Sequence, residues 1–417
     1  MAQSFKIIVF DDDPTGSQTV HDCPLLLRFS EADLAAGLAD PSPLLFLITN
    51  SRGLEPAQVR QLLLPLCQKL KPLLARLDRP WLLVSRGDST LRGHFPLEHD
   101  LIAEQLGPFA GTLLVPAFPQ GGRSTVDGLQ LLHGEPVHRS VFAQDRRFGY
   151  SSSDLAVWAE QKSGGRWPAQ ASLRLAVGSN LTQRLAQLPP GGLAIADAQT
   201  PADLEQVAAA VLARAAAGQR LLLQSAASVL NGLAAVPSQL LPPGPGIGPG
   251  LVLVGSHLPL ADQQLQLLLE EPSCQGVEAP LQGPLQHCLS ELEAIRARGY
   301  TPVLFSQRGE AQIGAEQQRQ LAQRLAELVA ALQPPLGYVI AKGGTTSFSL
   351  LQHGLGLGTV QLLGQPLLGV NLVRPRDAHQ RFGLIHVLTF PGNVGHANGL
   401  LQAWRWLEGF DQPGLTP

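Results

Sequence analysis

Three consecutive carboxylates, at residues 11–13, follow the apolar run of residues 7–10 near the start of the chain. Like charges about 4 Å apart repel by roughly 1 kcal/mol even in bulk water, so such a cluster is either well solvated or neutralised by a metal ion or by cationic side chains. Pro14 and Gly16 then favour a turn. In an open α/β sheet, ligands bind in the loops at the carboxyl ends of the strands, so the carboxylate cluster is a candidate ligand site. The alternative is a solvated turn with an Asp helix cap.

Two further loops combine arginines with small polar residues. Residues 85–94 hold Arg86, Asp88, Ser89 and Arg92. An arginine can bind a carboxylate or a phosphate through two parallel hydrogen bonds, and hydroxyls suit a hydroxyl-rich ligand. These residues predict a polar ligand site, and the alternative is a structural pair of Asp88 with one of the two arginines.

The second of these loops, residues 116–128, places Gly121 and Gly122 directly before Arg123. Glycines allow backbone N–H groups and a neighbouring cation to approach an anion together. The loop is therefore a second candidate anion site. A Pro- and Gly-punctuated connection with a solvated Arg123 explains the same residues equally well.

Three turns in the second half of the chain could present backbone N–H groups to phosphate. The residues Gly255 and Ser256 follow an apolar run, although Ser256 is equally suited to cap a helix. Residues 342–347 read Lys-Gly-Gly-Thr-Thr-Ser, and residues 391–395 form a related glycine turn. Glycines between a strand and a helix expose N–H donors, but the spacing is not that of a Walker A loop. The alternative is a glycine turn with hydroxyl caps.

Short apolar runs alternate with helical patterns along the chain, which indicates βαβ units and mostly parallel sheets. Residues 126–141 interrupt the alternation with pieces typical of a hairpin or an excursion from the sheet. Strands are predicted at 7–10, 44–48, 81–84, 112–115, 193–197, 220–224, 251–254, 302–305, 338–341, 369–373 and 386–390, and helices at 56–77 with a break or kink near Pro72, 201–217 and 315–333.

A Pro- and Gly-dense segment divides the chain. Residues 236–250 read VPSQLLPPGPGIGPG, which cannot form a regular element. A chain of 417 residues is too long for one ordinary core, so two domains are expected. We therefore predict an N-terminal domain at residues 1–235, a linker at 236–250, a second domain at 251–410 and a disordered tail at 411–417.

Composition limits the classes of partner. The net charge of −3 gives no electrostatic reason to expect nucleic acid or a membrane surface, and no apolar run approaches the ~20 residues of a membrane span. The N-terminal apolar run is too short for a signal peptide. Four cysteines lack CxxC spacing, and no HxH or HExxH pattern is present. We expect a cytoplasmic protein with reduced thiols and no histidine metal site.

In their order along the chain, these motifs resemble those of the four-carbon acid sugar kinases, a family long catalogued as a domain of unknown function. The resemblance covers almost the whole chain. It rests on Asp-Asp-Pro-Thr-Gly at 12–16, Asp-Ser-Thr-Leu-Arg-Gly at 88–93, Pro-Ala-Phe-Pro with Gly-Arg-Ser-Thr-Val-Asp-Gly at 116–119 and 122–128, Gly-Gly-Thr-Thr-Ser at 343–347 and Gly-Asn-Val-Gly at 392–395.

The resemblance implies two α/β domains, the first binding a sugar acid and the second a nucleotide, with the active site in the cleft between them. It implies ATP-dependent phosphorylation of a hydroxyl on a threonate, erythronate or 2-oxo-tetronate, with ATP and Mg²⁺ as cofactors. On the substrate side it implicates Asp12, Asp13, Thr15, Gly16, Asp88, Ser89, Arg92, Gly93 and Arg123. On the nucleotide side it implicates Ser256, Gly343, Gly344, Thr345, Thr346, Ser347, Gly392, Asn393 and Gly395.

Within that reaction, Asp12 is the hypothesised group that orients or deprotonates the attacking hydroxyl, and Asp11 is expected to be solvated or to cap a turn. Arg92 and Arg123 would hold the substrate carboxylate or the transferring phosphoryl group. Mg²⁺ would bridge ATP phosphates through water and few protein ligands, so the metal ligands are unknown.

The chain departs from the family pattern at three places. Thr345 stands where an acidic residue is common, His94 where Asn is common, and Ser85 and Arg86 where lysines are common. These departures leave the particular sugar acid open. They also support a second hypothesis, a regulator that binds nucleotide or sugar acid without catalysis. A dehydrogenase is disfavoured because no GxGxxG with a downstream acidic residue is present. Both a monomer and a homodimer are open.

Overall fold

A computed structural model of the chain describes residues 5–178, 180–242, 244, 246–308 and 314–410. The chain divides into two compact units, Met1–Ser238 and Gln239–Pro417. Each unit is an α/β structure, as the alternation of apolar runs and helical patterns predicted. The predicted tail at 411–417 lies outside the described residues.

The first unit is built on a parallel sheet of eight strands in the order β2-β3-β1-β4-β11-β5-β10-β9. The central strand β1 is buried along its whole length, which explains its apolar sequence. The strands of this unit are β1 Lys6–Asp11, β2 Cys23–Leu26, β3 Leu44–Ile48, β4 Trp81–Arg86, β5 Gly111–Val115, β6 Arg123–Val126, β7 Leu129–Leu132, β8 Glu135–Pro136, β9 Leu173–Leu175, β10 Gly192–Ala196 and β11 Leu221–Ser225.

Strands β6, β7 and β8 form a separate antiparallel sheet, so the predicted excursion at 126–141 is confirmed. Helix α2 begins at Pro56, a residue suited to a first helical turn, and it continues past Pro65 and Pro72. The helices are α1 Glu31–Ala39, α2 Pro56–Ala75, α3 Leu97–Leu106, α4 Leu155–Lys162, α5 Leu181–Ala186, α6 Pro201–Ala216 and α7 Val229–Ala234.

The second unit has a sheet of seven strands in the order β13-β14-β12-β15-β18-β17-β16. The pairs from β13 to β18 are parallel, whereas β17 is antiparallel to both of its neighbours. Its elements are β12 Gly250–Val254, α8 Pro259–Leu269, β13 Cys274–Ala279, α9 Gln286–Ala297, β14 Thr301–Ser306, α10 Ala315–Ala331, β15 Tyr338–Lys342, α11 Gly344–Ser349, β16 Thr359–Leu367, β17 Val370–Pro375, β18 His386–Phe390 and α12 Gly399–Glu408.

Every predicted strand and helix is present, with ends within two residues of the prediction. The strands that sequence reasoning missed are β2, β9, β13 and β16. All four stand at an end of the strand order of their unit. In β9 and β13 burial is incomplete, so the apolar pattern is weaker. Among the described residues, no helix combines the length and apolar character that crossing a membrane requires.

Candidate functional site

The carboxyl ends of β3, β1 and β4 lie side by side in the first unit. In register, Asp11 is paired with Ile48 on one side and with Arg86 on the other. The loop after β3 then brings Arg52 over the end of β1. Because parallel strands end at the same edge of a sheet, three loops that are far apart in sequence form one polar site.

Arg52 neutralises most of the charge cluster. Its Nε and Nη2 donate to the two oxygens of Asp12 at 2.9 and 2.5 Å, and its Nη1 donates to Asp13 Oδ2 at 3.0 Å. Asp13 also accepts hydrogen bonds from the backbone and the hydroxyl of Thr15. Burial opposes ionisation of Asp13, but Arg52, Arg86 and these hydrogen bonds outweigh it and lower its pKa. The cluster is therefore neutralised by arginines.

Asp11 caps the turn, as one of the two predicted alternatives held, because its Oδ1 accepts a hydrogen bond from the backbone N–H of Asp13 at 3.1 Å. The other alternative is wrong, because Asp11 is fully buried and not solvated. Arg86 Nη1 donates to its Oδ1 at 3.1 Å. Burial raises the pKa of Asp11 to about 7, and the charge of Arg86 opposes this only in part. A Cβ on Gly16 would lie 2.3 Å from the Asp11 carboxylate, so the glycine of this motif makes room for the buried pair. Asp11 is thus a structural residue beneath the site.

The loop of Asp88 and Arg92 contains one of the structural pairs that the sequence left open. Arg92 Nε donates to Asp88 at 2.6 Å, and Thr90 also donates to this carboxylate. Burial opposes ionisation, but Arg92, Arg52 and Thr90 together lower the pKa of Asp88. Among the described residues, no hydrogen-bond partner is found for Nη1 and Nη2 of Arg92, whose guanidinium lies over the Phe142 ring. These two nitrogens can bind an anion.

A small cavity connects several of the predicted substrate residues. It has a volume of about 20 Å³, and Asp12, Asp88, Arg92 and Gly93 contribute to its lining. A Cβ on Gly93 would lie 3.2 Å from Asp12 Oδ2, which shows how closely this backbone approaches the carboxylate. The other lining residues are Gly87, Leu91, His94, Phe95, Glu98, Leu114, Pro116, Trp158, Gln224 and Ser225.

Arg123 and Ser89 lie outside this lining. Arg123 Nη1 donates to Gly121 O at 2.5 Å, and its guanidinium lies 5.8 Å from the centre of the Phe118 ring. Burial lowers the pKa of Arg123, and the charges of Asp88 and Arg92 are close enough to act on it. Ser89 is buried, and its carbonyl accepts a hydrogen bond from Gln130. Arg123 therefore borders the site, whereas Ser89 belongs to the loop that supports it.

In the second unit, the three predicted turns contact one another. A Cβ on Gly255 would lie 2.2 Å from Thr346 Oγ1, and a Cβ on Gly392 would lie 2.5 Å from Ser256 Oγ. Gly343 has a φ of +118°, and a Cβ there would meet both Thr346 and Ser256 at 3.1 and 3.4 Å. Only glycines allow this approach, because a side chain at any of these positions would fill the space. The turns form a backbone-lined cradle.

The side chains of Lys342 and Ser347 donate hydrogen bonds to backbone carbonyls of the strand ends and turns that form the cradle. Lys342 Nζ donates to Pro391 O at 2.7 Å and to Val394 O at 3.3 Å, and burial lowers its pKa to about 7. Ser347 is fully buried, and its hydroxyl donates to Ala341 O at 3.0 Å. Its hydroxyl is therefore committed to the backbone. Thr345, Gly344 and Gly392 are partly exposed, and Asn393 and Gly395 are exposed.

Sequence reasoning missed three residues of these sites: Arg52, Glu98 and Arg308. Arg52 lies in a polar loop after a predicted strand, and that position was the available signal. Glu98 lies in the first turn of α3, where an acidic residue commonly serves only the helix. Arg308 donates to Ser256 O, Val254 O and Asp262, and so holds the Gly255–Ser256 turn. None of these partners is close to it in sequence.

A resident metal centre is not apparent in the parts of the chain that the structure describes, because they contain no cluster of three or more His, Cys, Asp or Glu placed to hold an ion. Mg²⁺ in phosphate-transferring enzymes takes many of its ligands from phosphate oxygens and water.

These features define a two-unit α/β protein with an arginine-rich polar site in one unit and a glycine-lined cradle in the other. Residues 7–233 match the family described as a sugar-binding N-terminal domain, and residues 251–400 match a nucleotide-binding C-terminal domain. The chain belongs to the four-carbon acid sugar kinase family.

Curated relatives match the chain over part of its length. A D-erythronate kinase of Heliobacterium modesticaldum is 28% identical over 215 residues, covering 49% of this chain and 47% of the relative. A D-threonate kinase of Bordetella bronchiseptica is 30% identical over 241 residues, covering 55% of this chain and 53% of the relative. The matched segments thus span about half the length of these relatives.

Solved structures agree in fold over nearly the whole chain. A Haemophilus influenzae protein superimposes with a TM-score of 0.66 at 16% identity, covering 96% of this chain and 100% of that one. A Salmonella typhimurium LT2 protein gives a TM-score of 0.67 at 17% identity, covering 96% and 98%. At these identities the likeness establishes the fold alone.

Proposed function

We propose that this protein is an ATP-dependent kinase that phosphorylates a hydroxyl of a four-carbon sugar acid of the threonate, erythronate or 2-oxo-tetronate class. The observation that carries the proposal is the cavity at the strand ends of the sugar-binding region, which joins Asp12 to an arginine with free donors, Arg92. A sugar acid carries both groups that such a site recognises, a carboxylate and hydroxyls. The kinase names of the curated relatives support the reaction class.

On the substrate side, residues 1–235 form the proposed sugar-acid domain. Arg92 Nη1 and Nη2 bind the substrate carboxylate, with Arg123 at the border of the site. Asp12, fixed by Arg52, contacts the hydroxyl that attacks ATP. Phosphoryl transfer depends on positioning and charge neutralisation more than on covalent chemistry, and a site prearranged by ion pairs meets that demand. Asp13, Thr15, Gly16, Ser89 and Gly93 shape and support the site.

On the nucleotide side, residues 251–410 form the proposed ATP domain. The cradle of Ser256, Gly343, Gly344, Thr346 and Gly392 receives the phosphates through backbone N–H groups and hydroxyls. Thr345, Asn393 and Gly395 border it, and Ser347 supports its backbone. When bound with ATP, Mg²⁺ would supply positive charge that neutralises the phosphates.

The test is an ADP-release screen of four-carbon sugar acids with Mg-ATP, run on the wild type and on Asp12→Asn. We expect turnover with at least one acid, and loss of turnover in the variant with ATP binding nearly intact. Asp22→Asn is a matched control, because Asp22 is exposed and lies in the same N-terminal segment. Equal loss of turnover and ATP binding would refute the role of Asp12. Thermal stabilisation by both ligands without any ADP would favour the regulator instead.

A further inference from the structure

Within the described part of the chain, three residues that line the cavity of Asp12 each have a buried polar side-chain atom without a hydrogen-bond partner. Among the described residues, no hydrogen-bond partner is found for Glu98 Oε1, Trp158 Nε1 or Ser225 Oγ, and all three atoms are inaccessible to solvent. All three residues line the same cavity. Buried polar groups are nearly always hydrogen-bonded, so three exceptions in one small space indicate a place built to bind a polar group.

The size and chemistry of the cavity specify that group. A volume of about 20 Å³ accommodates one water-sized group, since a single water needs roughly 10–15 Å³ by this measure. A substrate hydroxyl fits this space. Trp158 Nε1 can only donate a hydrogen bond, Glu98 Oε1 can accept one, and Ser225 Oγ can do either. A substrate hydroxyl both donates and accepts, so it satisfies this set of partners.

The two carboxylates of the cavity differ in what they can accept. Both oxygens of Asp12 already accept hydrogen bonds from Arg52. Glu98 shares one hydrogen bond with the Ser51 hydroxyl, which leaves Oε1 available. Glu98 is therefore better placed than Asp12 to take up a proton from a hydroxyl in the cavity.

The charges around Glu98 favour a proton acceptor that works near neutral pH. Burial, together with the charges of Asp12 and Asp11, raises the pKa of Glu98 to about 8, although Ser51 and Arg52 oppose the rise. The other titratable residues that line the cavity are Asp88, Arg92 and His94. A general base is most effective when its pKa lies near the working pH. Glu98 meets this condition.

We propose that Glu98 Oε1 accepts the proton of the substrate hydroxyl that attacks ATP, while Trp158 Nε1 donates a hydrogen bond to the oxygen of that hydroxyl. The inference rests on the proposed kinase function. The hydroxyl oxygen forms a bond to the γ-phosphorus as its proton passes to Glu98. The bond from the γ-phosphorus to the β–γ bridging oxygen breaks, and its electron pair leaves with ADP. Glu98 returns the proton to solvent when the product departs.

The experiment compares the pH dependence of kcat/KM in the wild type, Glu98→Gln and Glu104→Gln. Glu104 is the matched control, because it lies on the same helix and is exposed. In the wild type, kcat/KM rises with pH toward a plateau above about 8, the pKa of Glu98. Glu98→Gln lowers kcat by about 10²–10⁴-fold and abolishes that rise, since general bases contribute rate factors of this size. ATP affinity stays unchanged, and Glu104→Gln behaves as the wild type.

The outcomes separate this inference from the proposed function. An active wild type without the rising limb would overturn the role of Glu98, and this measurement requires no variant to fold. Retention of the rate and of the rise in Glu98→Gln would overturn it equally. Absence of ADP release from the wild type with every four-carbon acid would instead refute the kinase function, and the base role would fail with it.

Discussion

Replacing Arg52 with methionine would remove the cation that neutralises two carboxylates at once. Asp12 is only 2% exposed and Arg52 only 19%, so this is a buried ion pair. Removing one partner of a buried pair typically costs about 3–5 kcal/mol, because the other charge stays buried without compensation. Arg86 Nη1 remains 3.6 Å from Asp12, and Asp13 is 24% exposed and can be solvated. We therefore expect the lower end, about 3 kcal/mol of unfolding free energy.

The loss of unfolding free energy can be measured by urea denaturation followed by hydrogen–deuterium exchange. Following the peptides that cover β1 and β4 restricts the measurement to the first unit. The double variant Arg52→Met with Asp12→Asn completes the test. If the cost comes from an uncompensated carboxylate, neutralising Asp12 restores a large part of the lost free energy. A loss that is merely due to packing would not be restored by this second change.

Arg139→Met is the matched control. Arg139 lies 3.7 Å from Glu135, but the two side chains are 68% and 76% exposed, so the change should cost less than about 1 kcal/mol. If Arg52→Met destabilises the unit no more than Arg139→Met does, the argument that a buried ion pair holds the strand ends together is refuted.

Two further predictions concern the other buried charges. Burial raises the folded-state pKa of Asp11 from 3.8 to about 7, so the folded chain binds the carboxyl proton more tightly than the unfolded chain does. The free energy of unfolding that Asp11 contributes therefore falls as pH rises from about 4 to about 7. Asp11→Asn should remove this part of the slope in denaturation measured at stepped pH, and an unchanged slope would contradict it. Lys342→Met removes both hydrogen bonds to residues 391–394 and should weaken ATP binding severalfold in calorimetry. Unchanged ATP affinity would refute a supporting role for Lys342.

Much of the fold was accessible from the sequence because its signals are local. Buried parallel strands read as short apolar runs, and β1, β3 and β12 were found for this reason. The glycine turns were also visible, since the need for Gly343 and Gly392 is a property of the backbone at those points. The site residues suggested by the family motifs remain predictions, but several of them line one cavity.

The sequence by itself determined the alternation of strands and helices and the loops that carry polar groups. Only the tertiary structure decided which charges meet. The register of β1 with β4 buries Asp11 against Arg86, and α3 brings Glu98 into the same cavity as Asp12. Ionisation depends on burial and on neighbouring charges, and both are set by chain segments that lie far apart in sequence. The motif at 12–16 set Asp11 apart from Asp12, but no local pattern could show that Asp11 is buried against Arg86.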